Sequence, residues 1–233
     1  MICQYQIHLK LKNGEPIPPF WAYRLYAWLL LQIPEEIAEK IHQQEKRVVA
    51  QYLDHGVWIV NLLGNDAVTL FGNILKETKE IHLHGDEILV TECRFHTVEG
   101  PQIFLRRGHE ICSKRAELLI TSPAAFKQAE RYTIFPKEEL LLQSLLMRWN
   151  EMYPEYLLDD ADMLEAMRKG IHIVDYSLRT GRFRLKETAI PCFYGKIVLD
   201  TRLPVVLLEL WNALLCFAPY SGIGIKTTLG MGA

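Results

Sequence analysis

Twice along its 233 residues the sequence repeats one order of elements, and that repetition limits the fold more than any other feature. Cys3 to Lys12 alternates apolar and polar, with Cys3, Tyr5, Ile7, Leu9 and Leu11 on one side, the period of a half-buried strand. Asn13-Gly14 breaks it, and Pro18 and Pro19 open a helix, where the first N–H groups have no helical partner to lose. Phe20 to Gln32 is apolar nearly all round, so that helix is expected to be buried. A short helix, Glu35 to His42, follows Pro34. Arg47 to Leu53 and Val57 to Leu63 then read as two strands joined around Asp54-His55-Gly56, a hairpin signal. Asn65 or Asp66 starts a helix to about Lys79, and Ile81 to Val98 is strand material broken at Gly85-Asp86. Strand, helix, strand, strand, helix, strand is the ferredoxin-like order.

The second half repeats it. Ala116 to Thr121 reads as a strand, Glu138 to Glu151 as a helix, and Ile171 to Ser177 with Arg182 to Glu187 as strands paired around Thr180-Gly181. Phe193 to Leu199 continues the sheet and Pro204 to Phe217 is the second helix, ended by Pro219. Tyr153 to Asp162 and Glu165 to Lys169 read as polar connectors. The expected fold class is α+β: two tandem ferredoxin-like (RRM-like) domains, 1–113 and 114–233, with a C-terminal Gly-rich loop.

Composition excludes several function classes. No basic n-region and apolar run opens the chain, and the apolar stretch Leu203 to Phe217 is too short for a bilayer and carries Glu209. The five cysteines, Cys3, Cys93, Cys112, Cys192 and Cys216, are odd in number and lack C-x-x-C spacing, which points to a reducing cytoplasm and to no disulfide framework or zinc site. His82-x-His84 would share a strand face, but no third ligand follows at metal spacing, and a solvated face is the competing reading. No metal and no cofactor is expected.

The last twelve residues carry the strongest motif. Ser221 to Gly232 reads S-G-I-G-I-K-T-T-L-G-M-G, two G-x-G pairs around Lys226, Thr227 and Thr228. Glycine lets backbone N–H groups approach a ligand with no Cβ in the way. The stretch comes too late, and after a helix, for a dinucleotide loop, and no Gly-Lys-Ser/Thr makes it a P-loop. Gly222, Gly224, Lys226, Thr227, Gly230 and Gly232 therefore suit a phosphate backbone; a hairpin that only turns the chain is the alternative. A net charge of −2 argues against wholesale coating of nucleic acid. From Arg168 to Lys196, however, seven basic residues face only Asp175 and Glu187, a local +5 that includes Arg179, Arg182, Arg184 and Lys186. A charged, guarded strand edge would give the same stripe.

The G-hydrophobic-G pairs near the C-terminus resemble the signature loop of the CRISPR-associated RNA-binding superfamily called RAMP. Thr121-Ser122-Pro123-Ala124-Ala125-Phe126, Phe135-Pro136 running on to Arg148-Trp149-Asn150, and Phe193-Tyr194-Gly195-Lys196 match the layout of its repeat-processing endoribonucleases in order. The resemblance implies CRISPR repeat RNA, the precursor crRNA, as partner, with no membrane; an interference complex and a homodimer stay open. It also implies a strand after the Gly-rich loop, which is either very short here or belongs to a longer chain.

RNA self-cleavage needs no metal where an enzyme deprotonates the 2′-OH, protonates the leaving 5′-oxygen and stabilises the phosphorane. Of eight histidines, His42 ends a helix, where the dipole favours its cation, and Lys46 and Arg47 follow. The family's catalytic set is a helix-end histidine, a nearby lysine and a tyrosine of the aromatic helix. Carried over, that gives His42, Lys46 and Tyr26, with Arg47 and Tyr23 as alternatives to the last two. Two other readings remain. A non-cutting RAMP subunit would keep the loop and tolerate loss of His42. An RRM-like binder of single strands would expose aromatics on its sheet, for which Tyr176 and Phe183 are the candidates.

Overall fold

The computed structural model describes residues 1–43, 47–83, 85–185 and 188–233, the side chain of His42 excepted. It divides into two compact units: Met1–Val98 with Lys226–Met231, and Glu99–Ile225 with Gly232–Ala233.

In the first unit β1 (Ile2–Leu11) is followed by α1 (Ala22–Leu31), α2 (Glu35–Gln43), β2 (Val49–Asp54), β3 (Val57–Leu63), α3 (Asn65–Glu77), β4 (Glu80–Leu83) and β5 (Asp86–Val98). The antiparallel sheet runs β2-β3-β1-β5-β4, the ferredoxin-like order with β4 added at one edge. The alternation of β1 is realised: Cys3, Tyr5, Ile7, Leu9 and Leu11 are all buried, in one core with Leu25 and Leu29 of α1 and Phe71 and Leu75 of α3. Each such side chain contributes about 1.5–3 kcal/mol by leaving water. The β2–β3 hairpin turns at His55 and Gly56, whose φ of 45° and 79° match the mirror-image turn that fits twisted strands.

The second unit contains α4 (Pro101–Ile111), β6 (Arg115–Ala124), a small hairpin β7 (Phe126–Gln128) and β8 (Arg131–Thr133), α5 (Glu138–Met152), α6 (Ala161–Gly170), β9 (Ile171–Leu185), β10 (Thr188–Thr201) and α7 (Val205–Ser221). Its main sheet runs β6-β10-β9. Along the free edge of β6 the Ala233 carbonyl accepts the Thr121 N–H at 2.8 Å, and the Gly232 N–H donates to the Pro123 carbonyl at 2.9 Å. Two residues thus stand where a ferredoxin-like fold has its fourth strand, and both halves have the expected order.

Four expectations need correction. Thr180-Gly181 is no turn: β9 runs through it, with Gly181 opposite Cys192 and Leu185 opposite Thr188. A Cβ on Gly181 would sit 3.2 Å from the Tyr194 ring, so the glycine answers to cross-strand packing. Residues 101–111 form a helix that the hydrophobic pattern did not announce, and α4 packs with α7 in the second unit, whereas the expected boundary after residue 113 keeps it in the first. The connector 161–170 is α6, capped by Asp160, whose carboxylate accepts the Met163 N–H. Finally, α7 continues past Pro219 to Ser221, closed by the Gly222 N–H on the Ala218 carbonyl. Among the described residues, no helix is long and apolar enough to cross a membrane.

Candidate nucleic-acid interface

The Gly-rich stretch is held by protein from both of its limbs. In the second unit Gly222 and Gly224 adopt φ of 67° and 68°, in the left-handed range where a side chain is strained. A Cβ on Gly224 would lie 2.2 Å from the Ala125 carbonyl oxygen. Arg148 of α5, only 4% exposed, donates through Nη1 to the Ser221 carbonyl at 2.8 Å and through Nη2 to that of Gly224. The Gly224 N–H donates to Ser144 Oγ at 2.8 Å, and the Ile223 and Ile225 N–H groups go to the carbonyls of Gly232 and Ala125. A buried cation tying two carbonyls is the stronger kind of hydrogen bond, and a costly one to break.

In the first unit, Lys226 (φ 57°) starts a short 3-10 turn, Thr227–Leu229, and its carbonyl accepts the N–H groups of Leu229 and Met231. A Cβ on Gly230 would lie 2.4 Å from the Ala22 Cβ at the start of α1. Gln51, 2% exposed, fixes this turn. Trp58 Nε1 can only donate, so at 2.8 Å it must face the amide oxygen. The amide nitrogen then serves the carbonyls of Ala22 at 3.0 Å and Thr228 at 2.9 Å. Lys226 is exposed, while Thr227, Gly222, Gly230 and Gly232 are buried. Four of the loop residues expected at a phosphate backbone therefore shape the stretch, and Lys226 reaches solvent.

On β9, regular pairing from Asp175 to Leu185 puts Tyr176, Leu178, Thr180, Arg182 and Arg184 on one face and Arg179 on the other. All three arginines are exposed. Lys196 pairs with Glu117 at 3.3 Å, and Lys186 lies outside the described residues. Phe183 is buried, so only Tyr176 of the two candidate strand aromatics reaches solvent.

Of the catalytic candidates, His42 stands in the last turn of α2, its side chain outside the described residues, as is the whole of Lys46. Tyr26 is buried in the first core, and burial pushes its phenol up to about 12. Tyr23 is half-exposed, and its hydroxyl accepts from Arg24 Nε at 3.3 Å. The Arg24 guanidinium also lies 4.8 Å from the Trp21 ring centroid, a cation–π contact. Among the described residues no three His, Cys, Asp or Glu side chains gather as metal ligands do.

Gln51 and Arg148 were missed as site residues. A lone amide in an apolar strand and a lone cation on the buried side of α5 were the available signals. Trp149 and Asn150, beside Arg148, have structural partners too: Trp149 Nε1 donates to the Tyr156 carbonyl, and Asn150 bonds both backbone groups of Leu158.

Comparison with known proteins bears on the whole arrangement. Residues 118–233 match the family model described as CRISPR-associated endoribonuclease Cas6. The chain is 26% identical over 216 residues to a CRISPR-associated endoribonuclease Cas6 of Streptococcus thermophilus, covering 91% of this chain and 89% of that one. Among solved structures, a Cas6 product complex shares the fold with a TM-score of 0.81 at 19% identity, over 100% of this chain and 98% of that one. The Cas6 of Thermus thermophilus gives 0.79 at 20% identity, over 100% and 96%.

Proposed function

The chain belongs to the family of CRISPR-associated endoribonuclease Cas6, and from that premise we propose that it binds CRISPR repeat RNA and cuts precursor crRNA within the repeat. The observation that carries this is the alignment with the Streptococcus thermophilus enzyme across 91% of the chain, which draws on both units and not only on the Gly-rich end. The likeness to a Cas6 solved as a product complex supports the same reading of the fold.

The cleavage is metal-independent. His42 acts as general acid or base: the 2′-OH loses its proton, the 2′-oxygen attacks phosphorus, and the P–O5′ bond breaks as the 5′-oxygen is protonated. The upstream product carries a cyclic phosphate, which water opens to a 3′ phosphate, and the downstream product a 5′-hydroxyl. Lys46, or Arg47 beside it in sequence, stabilises the phosphorane charge. Tyr26 or Tyr23 orients the 2′-OH. A phenol held near 12 is neutral at physiological pH, so Tyr26 would serve as a hydrogen-bond donor and never as the base. Lys226, Arg179, Arg182, Arg184 and Lys186 supply phosphate contacts, with Gly222, Gly224, Thr227, Gly230 and Gly232 setting the backbone that presents them. The protein works in the cytoplasm, where its five free thiols stay reduced, and hands its product to an interference complex.

Incubation with labelled repeat RNAs tests the reading. One cut per repeat, leaving a cyclic or 3′ phosphate, is expected. Tight binding without any cut would instead support a guide-holding subunit.

A further inference from the structure

Two aromatic rings in the second unit stand outside the machinery described so far. Phe135 is 52% exposed and Tyr176 54%, although burying either ring would gain hydrophobic free energy. They meet edge to face, with centroids 5.4 Å apart and planes at 86°. Phe135 precedes Pro136, which is buried and fixes the approach of the chain. Tyr176 stands on β9, an edge strand, so the pair is not the central-strand platform of an RRM.

Charge decides what such a pair can hold. Tyr176 shares its strand face with Arg182 and Arg184, both exposed. At about 3.3 Å per residue, Arg182 lies roughly 20 Å along the strand from Tyr176. That is the reach of about three nucleotides of unpaired RNA. The acidic neighbours do not oppose it: Asp175 is on the other face, and Glu138 Oε1 accepts the Ile173 N–H at 2.9 Å.

We propose that Phe135 and Tyr176 form a stacking site for one unpaired base of the repeat RNA, with Arg182 and Arg184 holding the phosphates that lead away from it. The site rests on the repeat-RNA reading and adds a single-strand contact separate from the cut. Stacking suits any base, so the site sets where the RNA lies and not which base is cut.

The test uses the full chain and a repeat RNA bearing 2-aminopurine at successive positions, beside the same RNA annealed to its full complement. Stacking on an aromatic side chain quenches the probe at one position in wild type. Tyr176→Leu and Phe135→Leu should each remove that quenching and weaken binding by about 5- to 150-fold, the range of one lost stack. Tyr176→Phe should keep it within twofold, because the ring is retained. The annealed duplex, which offers no unpaired base, should bind wild type and Tyr176→Leu alike. Both rings are exposed, so melting curves should not move. Quenching that survives Tyr176→Leu, or equal losses on single-stranded and duplex RNA, overturns the site and leaves the pair to a protein partner. If wild type binds no repeat RNA, the repeat reading fails by itself. An unstructured RNA decamer carrying the probe then decides the site alone, by whether its quenching depends on Tyr176.

Discussion

The two units solve one topology with unequal material. In the first, the fourth strand of the ferredoxin-like order is β5, thirteen residues long, and β4 is added outside it. In the second, Gly232 and Ala233 take the same place beside β6. Side chains add to the backbone hydrogen bonds there. Here Ser122 Oγ accepts the Ala233 N–H, while Arg148 and Ser144 secure the limb that precedes it. The second unit thus fixes this place with buried polar side chains and left-handed glycines. The first unit carries the proposed chemistry and the second most of the proposed grip.

That division of labour can be broken most sharply at His42. His42→Ala should slow single-turnover cleavage by about 10²- to 10⁴-fold, the usual worth of a positioned acid or base, or about 3–5 kcal/mol of barrier. RNA affinity should change little. The double variant Arg182→Ala with Arg184→Ala should do the reverse, weakening binding and lowering the salt slope by about 1.4 for two lost single-strand phosphate contacts, at an unchanged saturated rate. A His42→Ala protein that cuts within threefold of wild type would move the chemistry to another residue.

The next largest effect tests how much those side chains hold. Arg148→Ala leaves the carbonyls of Ser221 and Gly224 without their donor, so unfolding free energy should fall by about 2–6 kcal/mol, each orphaned group costing about 1–3 kcal/mol. Denaturant titration would show it. A loss under 1 kcal/mol would mean the limb holds without Arg148.

Two left-handed glycines sharpen the same contrast at smaller cost. Gly14 has φ 82° and nothing within 4 Å of an added Cβ, so Gly14→Ala should cost only the left-handed strain, about 1 kcal/mol. Gly224→Ala adds a collision with the Ala125 oxygen at 2.2 Å and should cost clearly more, about 2–3 kcal/mol. Equal melting temperatures for the two variants would remove the glycine from the explanation.

What could be read in advance followed from how local each signal is. β1 was legible because alternation reports directly on which side is buried, and the β2–β3 turn because His55-Gly56 takes the positive φ that its chemistry favours. Thr180-Gly181 misled because the same dipeptide serves a turn or a strand, and only the cross-strand Tyr194 decides. Helix α4 was hidden by Gly108, which reads as a helix breaker; a Cβ there would strike the Glu209 carbonyl at 2.3 Å, so the glycine is what lets α4 approach α7. The Gly-rich spacing reads as glycines kept bare for a ligand, whereas Gly224 and Gly230 abut Ala125 and Ala22. A sequence shows that a Cβ is unwelcome and not what would meet it.

The smallest expected effect is none at all. If proton transfer by His42 and cationic stabilisation of the phosphorane carry the reaction, every group needed is a side chain of the protein. Cleavage in excess EDTA should therefore proceed at the rate seen in Mg²⁺, once RNA folding is matched by monovalent salt. That control matters, because Mg²⁺ also compacts RNA and could change affinity without touching the chemical step. The comparison belongs at saturating protein, where binding no longer limits the rate. If EDTA stopped the cut there and Mg²⁺ restored it, a metal-activated nucleophile would replace the histidine mechanism, and the contrast between a chemical first unit and a gripping second would fall with it.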